Sequence, residues 1–215
     1  MAPSSMLVGD EVVGRETEKI RQIMERTGIA YKIDLLPWKR AYMLAEQGNN
    51  TCVYATSRTP EREKLFKWVG PLEEIDWILI GRPDGTIKLK TLEDARNLRI
   101  GTYNGDVREE YLRAHGFHVQ SVPNDAYNPQ KLLMGRIDVW TVAVPVGSAL
   151  LSQWEWAGKL VPLLTFHNIK AYLACNPSVP DELVERMNAA LADMRRAGEM
   201  IRLGRKYEHW DYKKQ

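Results

Sequence analysis

The sequence predicts an α/β protein with two lobes, and three observations support this. Helical and strand-like patterns alternate through the first eighty residues, which is typical of βαβ units and a largely parallel sheet. A second alternation starts near residue 91, after the turn sequence RPDG. No Ser/Pro-rich spacer separates the halves, which favours one two-lobed body. At 215 residues the chain can bury one large core or two smaller ones.

The first half opens with a predicted hairpin in LVGDEVVG and a helix in RETEKIRQIMERTG. Ile20, Ile23 and Met24 recur at helical spacing in that helix, and Gly28 is its predicted stop. The other predicted elements are a strand over 30–37, a helix over 38–47 ended by Gly48, a strand over 51–56 and a strand over 74–82.

The second half contains a similar series. A Thr-capped helix is predicted in TLEDARNL, and the chain ends in one long helix from 178 that breaks at Gly198. Between them the predicted strands are 99–103, 118–123, 137–144, 159–165 and 169–175, and the predicted helices are 107–116, 128–136 and 147–158.

Composition excludes several functional classes. The net charge of +2 gives no electrostatic footprint for nucleic acid, and no apolar run approaches the roughly 18 residues that cross a bilayer. The start, MAPSSMLVGDEVVG, lacks a basic segment followed by a long apolar region, so no secretory signal is predicted in this chain. The four histidines offer one i,i+3 pair, His115 and His118, in a predicted loop. We therefore expect no metal site and no cofactor.

The two cysteines, Cys52 and Cys175, lie far apart in predicted buried strands. The favoured interpretation is two small core residues, because free cysteine is among the most buried residue types. A disulfide requires the two strands to be neighbours.

Two stretches carry candidate chemistry. SRTPEREKLFKWVGP, residues 57–71, can form a capped turn at Ser57 or Thr59, but its two arginines have no local explanation. In YNGDVREEY, residues 103–111, a strand runs through a Gly turn into a helix. Backbone N–H groups at such a turn can bind an anion. Alternatively, Asp106 caps that helix itself.

Five motifs occur here in an order that resembles one family: LLPWKRAYMLAEQG, SRTPEREKLFKWVGPL, LRIGTYNGD, LLMGRIDVW and SVPDELVERMNAALADMRRAGE. The sequence resembles the type II extracellular solute-binding proteins, in the family that contains the amino-acid receptors of bacterial ABC importers. The resemblance implies a two-lobed periplasmic-binding-protein fold with a ligand cleft between the lobes. Lobe one is expected to comprise 1–79 plus 168–215 and lobe two 80–167, with crossings near 78–82 and 165–170.

The resemblance also implies a set of ligand-binding residues. Arg62 matches an arginine that forks onto the α-carboxylate of the ligand, and such a pair is geometrically selective. Trp38 matches a position that packs on the body of the ligand. Three stretches complete the expected set: the loop after the family's first strand, residues 57–71 (the arginine segment) and residues 105–108 (the second-lobe turn). The expected residues in them are Ser4, Ser57, Arg58, Gly105, Asp106, Val107 and Arg108.

Alternatives stay open for three of these residues. Arg62 could form a surface ion pair with Glu61 or Glu63, which would contribute little to stability. Arg58 could line the mouth of the cleft or be solvated, and Trp38 could pack against the sheet.

The sequence departs from the family pattern twice. Ala143 stands where amino-acid receptors usually place the acidic residue that holds the ligand's ammonium, and Asp138 is expected to be structural. The resemblance also implies a first β-strand before Ala2, which we expect to be missing unless the MLVG segment or a neighbouring chain fills the gap. An unfilled gap would expose pairing edges and favour a homodimer or strand swap.

The expected function is binding without catalysis, in which a small polar solute is captured by hinge closure and presented to the membrane subunits of an ABC importer. The expected location is the periplasm. The alternatives are a ligand-sensing module and a dehydratase-like enzyme. The enzyme needs a general acid, for which Glu73, Glu74 and Asp106 are the candidates.

Overall fold

The structure is a computed structural model and describes residues 4–145 and 158–208. Its helices are α1 (Arg15–Thr27), α2 (Trp38–Gln47), α3 (Val107–Ala114), α4 (Asn128–Leu133), α5 (Asp181–Arg196) and α6 (Glu199–Glu208). Its strands are β1 (Met6–Val8), β2 (Glu11–Val13), β3 (Cys52–Ser57), β4 (Lys67–Gly81), β5 (Ile100–Tyr103), β6 (Val119–Val122), β7 (Val139–Pro145) and β8 (Val161–Cys175). The helix predicted over 147–158 falls, apart from residue 158, outside the described residues.

The chain divides into two compact units. Unit 1 comprises Met1–Glu73 and Lys170–Gln215, and unit 2 comprises Glu74–Ile169. Both changes of unit lie inside long strands, β4 and β8, so the chain passes between the units without a loop at either point.

Helices supply most of the core of unit 1. The apolar stripe of α1 is buried as its spacing predicts, and Gly28 ends the helix in the left-handed conformation that glycine adopts without steric cost. The C-terminal helical segment breaks at Gly198, where α5 gives way to α6. This core contains Ile20, Ile23, Met24, Val69, Leu72, Leu173, Met187, Leu191 and Met194.

A disulfide joins Cys52 of β3 to Cys175 of β8 in unit 1. The two strands are antiparallel neighbours, and their register places these cysteines directly opposite each other. The interpretation of both cysteines as free core residues is therefore wrong. Cross-strand pairing could not be read from the separate strand patterns, because β8 follows β3 by more than a hundred residues.

Unit 2 is built on a mixed sheet. Residues 75–80 of β4 pair antiparallel with β7, whereas β5 pairs in parallel with both β6 and β7. The central strands are nearly continuous apolar runs, as expected for strands covered on both faces. Two buried clusters result, and they include Ile78, Ile80, Leu132, Ile137 and Trp140 in one and Leu79, Ile100, Leu112, Phe117 and Val139 in the other.

Four sequence predictions differ from the structure. Residues 29–37 form no regular element. In a strand, Ile29, Tyr31, Ile33 and Leu35 would share one face, but only Ile29 and Ile33 reach the core while Tyr31 and Leu35 are exposed. The two strands predicted at 159–175 are the single strand β8, because no Gly or Pro interrupts 163–175. TLEDARNL forms only a 3₁₀ turn, although Thr91 does cap it. The described strand pairs of unit 1 are antiparallel rather than parallel.

Candidate functional site

Arg62 lies in a series of tight turns that follows β3 in unit 1. Its amide donates to the Thr59 carbonyl at 3.1 Å, and its own carbonyl accepts from Leu65 at 3.0 Å. The residue is only 4% exposed, and its guanidinium carbon lies 4.8 Å from the ring centroid of Tyr42. A buried arginine on an aromatic face is unlike the surface ion pair that was the alternative interpretation.

An aromatic row flanks this arginine. The rings follow one another at centroid distances of 6.1, 5.3, 5.6 and 5.7 Å in the order Trp38, Tyr42, Phe66, Trp68 and Tyr172. The first two stand on α2, and the inner face of that helix contacts the buried cluster around Phe66. Trp38 therefore packs against unit 1, as its alternative interpretation held, and a ligand contact by Trp38 remains a prediction.

Arg58 lies at the other end of the row and is exposed. Its Nε donates to Glu63 Oε2 at 2.7 Å and its Nη2 donates to Glu63 Oε1 at 2.5 Å, a two-pronged arrangement. The guanidinium carbon lies 5.5 Å from the Trp68 ring and 5.3 Å from the Tyr172 ring. The hydrogen bonds to Glu63 raise the pKa of Arg58 and lower the pKa of the Glu63 carboxyl.

Two further predicted residues of unit 1 are positioned by backbone contacts. Ser57 ends β3, is buried, and pairs with Ala171 of β8. The carbonyl of Ser4 accepts from the Glu16 amide at 3.1 Å, at the start of α1. Gly14 is required there because a side chain at that position would overlap the Ser4 backbone.

The predicted second-lobe residues form a turn at the start of α3 in unit 2. Asp106 is the helix N-cap, and its Oδ1 accepts from the Arg108 amide at 2.8 Å. The Gly105 amide donates to Glu109 Oε2 at 2.8 Å. Val107 is the first helical residue. Two of the amides expected to bind a ligand are thus held by side chains of the same segment, and a contact of this turn with a ligand stays a prediction.

Asp106 and Arg108 form a buried ion pair. Arg108 Nε donates to Asp106 Oδ1 at 2.6 Å, and Arg108 Nη1 donates to the carbonyl of Thr141 at 3.0 Å. Burial opposes the charge on Arg108, but Asp106 outweighs that effect and raises the Arg108 pKa above its ordinary value. The sequence spacing indicated the cap but gave no sign of this pair.

A second polar group lies nearby in unit 2. Asp125 Oδ1 accepts from Asn128 Nδ2 at 2.8 Å and from Trp140 Nε1 at 2.9 Å. Burial raises the Asp125 pKa, although Arg108 and these two hydrogen bonds oppose the shift. Within the described residues, Asn128 Oδ1 and Thr141 Oγ1 are buried without a hydrogen-bond partner.

Sequence reasoning missed a buried cluster of four charged side chains in unit 1. Arg15 Nη2 donates to Glu73 Oε2 at 2.8 Å, and Lys19 Nζ donates to Glu16 Oε1 at 2.7 Å and to the Leu72 carbonyl at 3.2 Å. Arg15 Nε also donates to Glu16 Oε1 at 3.2 Å. The close spacing of Arg15, Glu16 and Lys19 was the available signal, but such charges on a helix usually face solvent.

The pKa values of the two carboxyls of this cluster shift in opposite directions. Burial, reinforced by the nearby Glu16 charge, raises the pKa of Glu73 to about 7, and Lys19 and Arg15 only partly offset this. Burial would also raise the pKa of Glu16, but Lys19 and Arg15 together bring it below the ordinary value. Glu73 and Glu16 thus share the same two cations inside unit 1.

The position expected to hold a ligand ammonium carries no charge. Ala143 is an exposed residue of β7, opposite Trp77 of β4. Asp138 accepts from Arg99 Nε at 2.9 Å and from Arg99 Nη2 at 2.7 Å, which fixes it as a structural residue. Among the described side chains, no group of three or more His, Cys, Asp and Glu residues is placed to hold a metal ion.

The arginines of unit 1 are groups that can recognise an anion. Unit 1 presents two arginines on aromatic faces, and guanidinium groups bind carboxylates through paired hydrogen bonds. Of the three candidate acids, Asp106 is paired with Arg108 and Glu73 with Arg15. No helix in the part of the chain that is described is long and apolar enough to span a membrane.

A mixed α/β chain that divides into two compact units has the architecture of the two-lobed solute-binding proteins. The sequence matches the bacterial extracellular solute-binding proteins, family 3, over residues 1–209, and the chain belongs to that family. A search of curated protein sequences returned no match.

Solved structures share the fold at low sequence identity. A histidine kinase sensor domain with similarity to periplasmic binding proteins has a TM-score of 0.84 at 21% identity and covers 96% of this chain and 91% of its own. The arginine-, lysine-, histidine-binding protein ArtJ from Geobacillus stearothermophilus has a TM-score of 0.82 at 16% identity and covers 98% of this chain and 92% of its own. An ancestral amino-acid-binding protein, a precursor of cyclohexadienyl dehydratase, has a TM-score of 0.81 at 18% identity and covers 96% of this chain and 90% of its own.

Proposed function

We propose that this protein binds a small polar carboxylate without catalysis and hands it to the membrane subunits of an ABC importer, the solute being captured by hinge closure. The observation that carries the proposal is the buried guanidinium of Arg62 on the Tyr42 ring. A carboxylate that docks on a guanidinium group gains charge-assisted hydrogen bonds of roughly 1.5–3 kcal/mol each, and the Tyr42 ring holds that of Arg62 in place. The family to which the chain belongs supports this role.

The solute class follows from charges that unit 1 and unit 2 each supply. Ala143 offers no carboxylate to an ammonium, and Glu73 is already bound by Arg15 and Lys19. An ammonium buried without a partner costs several kcal/mol, of which a cation–π contact recovers only about 1–2 kcal/mol. We therefore propose a carboxylate without a free α-amine.

An extracytoplasmic location is part of the proposal. Disulfides form and persist in oxidising compartments such as the periplasm, and Cys52 and Cys175 are joined in unit 1. The periplasm is therefore the compartment in which we place the protein.

A ligand-sensing role is the second candidate. The structural neighbour with a TM-score of 0.84 is a histidine kinase sensor domain, which keeps this role open for the same fold. A sensor needs a signalling partner, whereas an importer receptor needs a transporter. Uptake of the bound solute by cells lacking the gene separates the two, because loss of uptake supports the importer and unchanged uptake supports the sensor.

The binding proposal is tested by thermal shift and calorimetry with amino acids and their deaminated analogues. We expect stabilisation by the amine-free acids only. Arg62→Ala should abolish binding in protein that is still folded, and Arg62→Lys should restore binding poorly because an ammonium cannot form the paired hydrogen bonds of a guanidinium. Arg202→Ala, on the exposed face of α6, is the control. Equal binding by the lysine variant, or stabilisation by free amino acids alone, would contradict the proposal.

A further inference from the structure

Arg58 already holds a carboxylate in the two-pronged geometry that a ligand acid would adopt. The occupant is Glu63, five residues along the same turn segment, and both side chains are substantially exposed, at 37% and 48%. An exposed ion pair of this kind contributes little to stability, so exchange of one carboxylate for another has a small cost.

The guanidinium of Arg58 has contacts that do not involve the Glu63 carboxylate. It lies over both Trp68 and Tyr172, and the Trp68 indole Nε1 is itself anchored on the Glu63 carbonyl at 3.2 Å. The Tyr172 ring reaches this position because residue 70 is glycine; a methyl group at Gly70 would overlap the ring. A cation held by two rings stays oriented when its carboxylate partner leaves.

Arg58 and Arg62 both lie along one row of aromatic rings. They are four residues apart in the same turn segment, and both guanidiniums lie over rings of the row Tyr42, Phe66, Trp68. One is buried and the other is exposed. The buried arginine suits the primary acid group of a solute, and the exposed one suits a second group that reaches outward.

We propose that Arg58 is a second anion-binding residue and that the solute carries two acid groups, the second replacing Glu63 on the Arg58 fork. This rests on the proposed function, since it presumes that a first carboxylate docks on Arg62. Glu63 then acts as an internal carboxylate that occupies Nε and Nη2 of Arg58 in the absence of solute and competes with the second acid group of the solute. Solutes with one acid group leave Glu63 in place and gain nothing from Arg58.

The experiment compares straight-chain dicarboxylates (succinate, glutarate, adipate) with the monocarboxylates of equal length (butyrate, valerate, hexanoate) by calorimetry. With wild-type protein, we expect at least one dicarboxylate to bind about tenfold or more tightly than its partner. Arg58→Gln should reduce that ratio to about one and leave monocarboxylate affinity unchanged. Glu63→Gln removes the competitor, so it should tighten dicarboxylate binding several-fold and spare the monocarboxylates.

A matched control is present in unit 2. Arg96 also lies on an aromatic ring, 4.6 Å from Phe117, and forks onto an exposed glutamate, Glu93. Arg96→Gln removes the same kind of contact away from the arginine segment and should leave every affinity unchanged. If Arg96→Gln lowers the ratio as Arg58→Gln does, the effect is not specific and the inference is wrong.

The outcomes separate the two proposals. The role of Arg58 is overturned if a dicarboxylate and its matched monocarboxylate bind equally to the wild-type protein, or if Arg58→Gln weakens the binding of both equally. In either case, loss of monocarboxylate binding in Arg62→Ala still supports the proposed function. Carboxylate binding that survives Arg62→Ala overturns the proposed function instead. A ratio that falls only in Arg58→Gln and rises in Glu63→Gln supports the second anion site.

Discussion

Glu73 lies 2.8 Å from Arg15 and 3.4 Å from Lys19, yet its pKa is raised to about 7. Burial and the neighbouring Glu16 charge outweigh the two cations. Glu73 is also the last residue of unit 1 on β4, so this titrating carboxyl lies where the chain leaves the unit.

We predict that Glu73 makes stability depend on pH near neutrality. The folded protein binds this proton more tightly than the unfolded chain, so the free energy of unfolding should fall as pH rises from about 4.5 to 7, by up to about 3 kcal/mol. Chemical denaturation at several pH values across that range should show that the free energy of unfolding changes less with pH in Glu73→Gln than in the wild-type protein. The exposed neighbour variant Glu74→Gln is the control, and an unchanged slope in Glu73→Gln would contradict the assignment.

A second prediction concerns the buried pair of unit 2. Arg108→Met should destabilise the protein by about 3–5 kcal/mol, because it leaves the Asp106 carboxylate buried and unpaired. Adding Asp106→Asn removes that charge and should restore much of the loss, since the asparagine still caps α3. Urea denaturation of the single and double variants measures the coupling. Additive losses would show that the two side chains act independently.

A third prediction tests the space at Gly70. Gly70→Ala should cost about 1–3 kcal/mol, because the methyl group overlaps the Tyr172 ring and the ring or the strand must shift. The control is Gly204→Ala in α6, where an added methyl meets no atom within 4 Å and alanine favours the helix. Thermal denaturation compares the two, and equal stabilities would refute the steric argument.

Local pattern explains which parts of the fold could be predicted. Helices α1, α2 and α5 have regular apolar spacing, and Gly28 and Gly198 end helical segments where the sequence indicates. Strand limits were harder to predict. Gly70 and Pro71 resemble a strand terminator, yet both lie within β4, because the strand passes from one unit to the other.

The sequence indicated candidate site residues only where a local motif contained them. The family resemblance singled out Arg62, and its contact with a ligand stays a prediction. The two-pronged contact of Arg58 with Glu63 lies beside Tyr172, which the β3–β8 register brings close and no local pattern indicates. The ion cluster was hidden for the same reason. Arg15 meets Glu73 across 58 residues, and no local spacing records that contact.

The disulfide has a consequence for the covalent chain as a whole. Residues 52–175 form a closed ring, and all of unit 2 lies inside it, while both chain termini are tails attached to the ring. A single peptide-bond cut within the ring opens it but yields no separate fragment until the sulfur bridge is reduced. The two segments of unit 1 therefore stay linked through their own strands even when the connection through unit 2 is severed.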